Sequence, residues 1–277
     1  LLPAWLEESV EDWSQLAEHV ARRTTMPLLE RGRLMGLAVA TPNEAITPSV
    51  ADELSDAQIK LSSAPMVVDL SALWAGPLCS HILQQCGFRV VKVESVQRPD
   101  GAREGSPIHF NALHKGKRLR RFDFADANDL QGLRELLASA DVVIEGSRPR
   151  ALRALGLDRD SLMGGACSAT SSQLWLSLTA YGRPKPYGDW VGFGDDVAIA
   201  AGAYALTNNK LPSFLGDAIA DPLTGLLGAL IVLHLRHWGV CGLVDLSLFR
   251  AVNFCVDWIL DSGGVMASPT TYPALRC

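Results

Sequence analysis

Apolar and polar positions change their period along this chain. Near the start, Trp5, Leu6, Val10, Trp13, Leu16 and Val20 recur at helical spacing, so residues 1–40 read mainly as helices. Pro27 suits the first turn of a second short helix, Pro27–Arg31, stopped near Gly32, and Leu34–Ala40 predicts a short strand. Over residues 41–65 no period survives; Pro42, Pro48 and Pro65 stand among Ser, Asp and Asn, which predicts a linker. From Met66 short apolar runs alternate with amphipathic ones. Strands are predicted at Met66–Leu70, Arg89–Glu94, Leu119–Phe124, Asp141–Glu145 and Leu174–Leu178. The segments Pro77–Cys86, Ala127–Ser139 and Pro149–Leu155 read as helices between them. Beyond Asp195 the chain reads as helical at Asp196–Leu206, Pro222–His237 and Ala251–Leu260, with Gly242–Leu248 either a strand or a helix start. This alternation predicts an α/β fold, an open and mainly parallel sheet with helices on both faces. Three regions follow: a helical segment with its linker over 1–60, a Rossmann-like domain over 61–260, and a tail over 261–277.

Composition narrows the function classes. Of the 277 residues 48% are hydrophobic and 20% charged, the profile of a globular protein, and a net charge of -5 argues against a general nucleic-acid partner. Cys79, Cys86, Cys167, Cys241, Cys255 and Cys277 are scattered, with no CxxC pair and no zinc spacing. They read as buried, reduced thiols of a cytoplasmic protein without a metal. The most apolar stretch, Leu223–Leu235, falls short of the roughly 20 residues a bilayer needs and includes His234, so no membrane span is expected. The chain starts at Leu1 rather than Met, which suggests a piece of something longer.

The turn after the first core strand, Ser71–Pro77, holds one glycine, Gly76; both GxGxxG and GxxxxGK[ST] are absent, which disfavours a nicotinamide dehydrogenase or a P-loop NTPase. Cations instead gather beside predicted strands. Five of the seven residues from Lys115 to Arg121 are basic, Arg148, Arg150 and Arg153 follow another strand, and Arg103 a third. Such clusters are either a solvated surface or a site for a polyanion such as a phosphorylated nucleotide.

Several segments, taken in order, resemble family III (CaiB/BaiF-type) CoA transferases. Val67–Pro77 is similar to their opening strand–turn–helix, Val90–Glu94 with Asp100–Arg103 to their second strand and "GD..R" loop, and His114–Arg118 with Phe122–Phe124 to "NRGKRS..LDL". Ala140–Glu145, Arg148-Pro149 and Ala151–Leu157 resemble "ADVVIENFRPGALERLGL"; Ile219–Gly225 and Val244–Leu248 resemble "IADLLTG" and "VDVSLLD". The resemblance implies a Rossmann-like CoA-transferase fold, here lacking most of the small domain, with coenzyme A as substrate across the strand ends. Acyl-CoA and a carboxylic acid would be its partners, in an interlocked homodimer or as part of a tandem two-domain protein. By position, Leu73, Trp74 and Ala75 would line the adenine or pantetheine path, and Arg103, Lys115, Lys117 and Arg148 would meet phosphate or ribose. Residues 13–40 are similar to the closing part of a family large domain, yet precede the first core strand.

In that family one aspartate attacks the thioester to form an acyl-aspartyl anhydride; racemases of the same family use a similarly placed aspartate as acid and base. It lies in "GYDLLAQAMSG", which Gly192–Gly202 resembles, but its place here falls on Gly194. Asp195 and Asp196 follow at once. They are either the catalytic carboxylates or caps of the next helix. Three functions stay open: CoA transfer, racemisation, and a catalytically inactive CoA-binding or dimerisation module. Asp221, before Pro222, reads as a helix cap, and His234 with His237 as a surface helix end rather than metal ligands.

Overall fold

The computed structural model describes residues 1–46, 53–56, 64–162, 172–207 and 212–261. In chain order its helices are α1 (Leu2–Leu6), α2 (Trp13–Ala21), α3 (Thr25–Leu34), α4 (Ala75–Gln85), α5 (Ala102–Gly105), α6 (Pro107–His114), α7 (Ala127–Ala138), α8 (Pro149–Ala154), α9 (Arg159–Leu162), α10 (Gly194–Ala200), α11 (Ala220–His237) and α12 (Leu248–Asp261). The strands are β1 (Glu53–Asp56), β2 (Met66–Asp69), β3 (Arg89–Ser95), β4 (Arg118–Phe122), β5 (Val142–Glu145), β6 (Leu174–Thr179) and β7 (Val240–Ser247).

They form one seven-stranded sheet in the order β1-β7-β6-β5-β2-β3-β4. All neighbours from β7 to β4 run parallel; β1 pairs antiparallel with β7 at the edge, Glu53 opposite Leu243. Apart from β1 this is the doubly wound Rossmann order, which reverses direction between β2 and β5.

Both faces are covered, which explains why the central strands are apolar at successive positions. On one side Val67, Val142, Ile144, Leu174 and Leu176 pack under Cys79 and Leu83 of α4 and Ala229 and Val232 of α11. On the other, Val68, Val143 and Trp175 meet Leu133 and Leu137 of α7 and Leu152 of α8. Each fully buried Val or Leu side chain contributes about 1.5–3 kcal/mol relative to exposure, so these two layers carry the sheet. A third cluster joins α10 and α12 through Val197, Ala200, Phe249 and Val252.

Several boundaries differ from the sequence-based expectations. Residues 37–40 form no strand. They lead instead to Asn43 and Glu44, whose amides donate to Ile199 O (3.4 Å) and Ala200 O (2.9 Å). Part of the expected linker is β1, whose four residues are too few to show a period. The expected Asp196–Leu206 helix stops at Ala200, because Gly202 takes φ +89°; a 3-10 turn follows over Ala203–Leu206. Gly242–Leu248 resolves as strand β7, and α6 was not anticipated. Of the cysteines expected to be buried, Cys79 and Cys241 are, Cys255 is half-buried, and Cys86 is exposed because it ends α4 at the turn into β3; Cys167, Cys277 and the predicted tail beyond Asp261 lie outside the described residues.

Candidate active site

Open parallel sheets bind ligands beyond the carboxyl ends of their strands, where strand order reverses. Here that point lies between β2 and β5, and a cavity of about 790 Å³ opens there. Its walls come from the turns after β2 (Ser71–Leu73), β5 (Gly146–Arg150) and β6 (Thr179, Ala180), closed by residues 187–193. Of the residues that the resemblance names, Leu73, Ala75 and Arg148 lie on it, and Arg98 and Arg150 add two further cations.

A buried charge network fixes the first turn. Asp69 accepts hydrogen bonds from Ser71 N (2.9 Å), the Ser71 hydroxyl and the Ser80 hydroxyl. Burial pushes its carboxyl up, but Lys92 and Lys117 outweigh that and hold it below the ordinary range. Asp100 accepts from Leu73 N (3.0 Å) and Ala102 N (3.1 Å), with Lys92 Nζ 3.3 Å away. These bonds hold Leu73 in the left-handed region at φ +65°. Lys117 donates to Pro77 O (2.8 Å) and Ser80 Oγ (2.7 Å), and burial lowers its pKa to about 8.

The other expected cations sit apart from the cavity walls. Lys117 is only 1% exposed, with its ammonium bonded to Pro77 and Ser80 of α4 and 3.6 Å from Asp69 at the end of β2. Arg103 pairs with Glu94 at 2.7 Å and lies over the Phe110 ring at 4.3 Å. Lys115 is exposed just after α6. Trp74 packs against the His109 ring, centroids 4.9 Å apart, at the entrance to α4.

A second buried ion pair anchors the opposite wall. Glu145, ending β5, meets Arg183 Nη1 at 2.5 Å, and the same nitrogen donates to Ser177 Oγ at 2.8 Å. Burial raises the Glu145 pKa against the pull of Arg183. Arg183 N donates to Asp245 Oδ2 at 2.9 Å, so the loop after β6 is tied down at two points. Its far end is clasped by Arg33, whose guanidinium sits 3.7 Å from the Trp190 ring centre and pairs with Glu44.

The acids of the Gly192–Gly202 segment have local tasks. Asp195 Oδ1 accepts from Ala218 N at 2.8 Å. Asp196, the third residue of α10, accepts from Phe193 N at 2.7 Å, half of a capping box. Its second oxygen is buried without a hydrogen-bond partner among the described residues, and burial pushes the carboxyl up to about 6. Neither acid lines the cavity.

Asp221 does line it, and among the described residues it is the only acid that does. It does not cap its own helix: Oδ1 accepts from Ala75 N, the first residue of α4, at 3.3 Å. It thus supplies the amide at the start of α4 with an acceptor that α4 lacks. Burial pushes its carboxyl up to about 6, the Ala75 N–H pulls it down, and Asp195 and Asp196 add to the rise. Beside Pro222, Asp221 reads as a cap; that α11 crosses the start of α4 is a tertiary fact without a local signal. Arg98 did have one, its position just after β3, and Arg150 follows β5 as Arg148 does.

Among the described residues no group of three or more His, Cys, Asp or Glu side chains is set to hold a metal ion, and no helix is long and apolar enough to cross a membrane.

Comparison with known proteins is consistent with this site. Residues 65–269 match the model of CoA-transferase family III. An acyl-CoA transferase of Fusarium pseudograminearum is 31% identical over 205 residues, covering 66% of this chain and 44% of that protein. The succinyl-CoA–D-citramalate CoA-transferase of Chloroflexus aurantiacus is 28% identical over 67% of this chain and 48% of its own length. A CAIB/BAIF family protein from Brucella suis superposes with a TM-score of 0.63 at 27% identity, over 76% of this chain and 59% of that one. This chain therefore spans about half the length of the curated relatives it matches.

Proposed function

This chain belongs to CoA-transferase family III, and on that premise we propose that it moves CoA from an acyl-CoA to a carboxylic acid through an acyl-aspartyl anhydride. One observation carries the reading: the cavity at the reversal of strand order has Arg98, Arg148 and Arg150 along it and, among the described residues, a single carboxylate, Asp221, in its wall. The 3′-phosphate and diphosphate of CoA need several cations, and arginine matches phosphate geometry best. Leu73 and Ala75 offer apolar surface to the pantetheine arm, with Trp74 at its edge. A cavity of about 790 Å³ lies within the range of cofactor sites.

A carboxylate suits the reaction because an anhydride keeps the acyl group activated for the return of the thiolate. The motif offers Asp195 and Asp196 for this, and the cavity offers Asp221. The wider reading includes a cytoplasmic setting, and a second copy or further segment to complete the acyl side of the cavity.

The test is direct. The chain is incubated with acyl-CoA and an isotopically labelled free acid, and CoA binding is followed by calorimetry. Binding with appearance of label in the thioester is expected, and Arg148→Ala and Arg150→Ala should weaken binding, more so at low salt. A chain that binds no CoA refutes the reading. Binding without exchange, with deuterium entering next to the thioester, points to racemisation.

A further inference from the structure

We propose that Arg33, carried on α3, is a positioning residue of the cavity: through the Trp190 ring it fixes the wall formed by residues 187–193, and so sets the affinity for CoA. The inference rests on the transfer reading above and adds the N-terminal segment to the site.

That wall has little of its own to hold it. Its one regular element is the 3-10 turn Tyr187–Asp189. Among the described residues, the amides of Gly188, Asp189 and Trp190 donate to Pro184 O, Pro186 O and Tyr187 O, all within the loop. The ends are fixed, Arg183 N by Asp245 and Phe193 N by Asp196. Between them the exposed pair of Arg150 with Asp189, 3.7 Å apart, contributes little in water. The span between the two ends therefore takes its place from side-chain packing, with Trp190 at the centre. Its ring meets that of the fully buried Tyr181 at 5.5 Å and that of Tyr187 at 4.9 Å, both steeply inclined.

Arg33 completes this packing from outside. Its guanidinium stands 3.7 Å from the centre of the Trp190 ring and 5.5 Å from that of Tyr181. Nη2 is 2.5 Å from Glu44 Oε2, and the two side chains are only 8% and 7% exposed. Glu44 is itself tied down: Oε1 accepts from Thr41 N at 2.8 Å, and its amide donates to Ala200 O, at the end of α10, at 2.9 Å. Behind Arg33, α3 is anchored where Trp5 Nε1 donates to Leu28 O at 2.8 Å. A strap thus runs from α10 to the wall. A desolvated guanidinium over tryptophan binds its face more strongly than an exposed one, and its planar shape suits the ring better than an ammonium does.

Tyr187, Trp190, Val191 and Phe193 face the cavity, whose other walls come from the turns after β2 and β5. An outward swing of Trp190 would widen the space that holds CoA. Arg33 is not part of the cavity wall, so it acts through the ring alone. Arg33 and Glu44 both precede residue 65, where the match to the family begins.

The experiment uses the full 277-residue chain, with CoA titrated by calorimetry and stability read by urea denaturation. Arg33→Met keeps the stem and removes the planar charge, and Kd for CoA should rise at least about 10-fold. It also strands Glu44 and lowers stability, so Arg33→Met/Glu44→Gln is made beside it. That variant should regain most of the stability and keep the weak affinity, whereas a merely structural pair would return both together. Arg33→Lys, which keeps the charge and loses the flat face, should fall between wild type and Arg33→Met. Trp190→Leu should weaken binding about as much, and adding Arg33→Met/Glu44→Gln to it should change Kd by less than about 2-fold, because the ring through which Arg33 acts has gone. Should Arg33→Met fail to fold, its combination with Glu44→Gln and the Arg33→Lys variant carry the test. Affinity that returns with stability, or effects that add fully to Trp190→Leu, overturn the assignment and leave the transfer reading standing. A wild type that binds no CoA overturns the transfer reading and this one with it.

Discussion

Replacing Gly194 by alanine tests the packing on which the site depends. The added Cβ would fall 2.6 Å from Ala218 Cβ and from Ala218 O, and would overlap Asp221 Oδ2. The Ala218 contacts involve a backbone oxygen and a Cβ, neither of which can rotate away; the carboxylate can. Overpacking of this kind costs about 1–3 kcal/mol. Alanine's better helix propensity returns at most about 1 kcal/mol, and less in a first turn. A net loss of about 1–2 kcal/mol is expected, which lowers Tm by about 2–8 °C for a domain of this size. The assay is urea denaturation at pH 7.5 on Gly194→Ala, Asp221→Ala and the double variant. In the Asp221→Ala background the carboxylate has gone, so the cost of Gly194→Ala should fall by at least about 0.5 kcal/mol, a coupling that only residues in contact show. A Gly194→Ala protein as stable as wild type, or an equal penalty in both backgrounds, would show that Asp221 does not fill the space beside Gly194.

Other expectations concern buried charge. Asp196 has its pKa raised from 3.8 to about 6, so the folded state holds its proton more tightly than the unfolded one; the associated stability is complete below about pH 4 and lost as pH rises through about 6. Asp196→Asn should therefore stabilise the protein by about 1–3 kcal/mol at pH 8 and leave it unchanged at pH 4, and an equal effect at both would refute the reasoning. Arg183→Met strands Glu145, which is 2% exposed, and should cost about 3–5 kcal/mol in denaturant titrations; Glu145→Gln in the same chain should recover part of it. Lys117→Met should destabilise by a comparable amount through Asp69 and leave the CoA affinity of the folded chain intact, whereas a large loss of affinity would make Lys117 a ligand contact.

The layered fold was legible because its central strands are buried on both faces and so read as unbroken apolar runs, residues 142–144 being the plainest. The cavity's place followed from the same pattern, since the turns after β2 and β5 meet where the order reverses. Arg148 drew notice because it follows a strand, whereas Leu73 and Ala75 were named through the family resemblance; all three lie along the cavity. Charge alone did not tell Arg148 from Lys117, because a lysine that binds a ligand and one that ties down a buried aspartate look the same in sequence. Burial separates them. The four-residue β1 was hidden by its length, and the role of Asp221 by its dependence on how two distant helices cross.

The clasp between the N-terminal segment and the far end of the sheet has a temporal meaning. Asn43 donates to Tyr204, 161 positions later, and the amides of Asn43 and Glu44 reach Ile199 and Ala200. A ribosome adding about 5–20 residues per second makes residues 33–44 roughly 8–30 s before their partners exist. Closing so long a loop costs little more entropy than closing one of half the length, about 0.6 kcal/mol, so the delay is set by synthesis rather than by search. In that interval Arg33 has no Trp190 ring to sit over, and the amides of Asn43 and Glu44 have no carbonyls of α10 to meet. The earlier-made half of this clasp waits for its later half, and until the two meet, the wall held by Trp190 is without its outer brace.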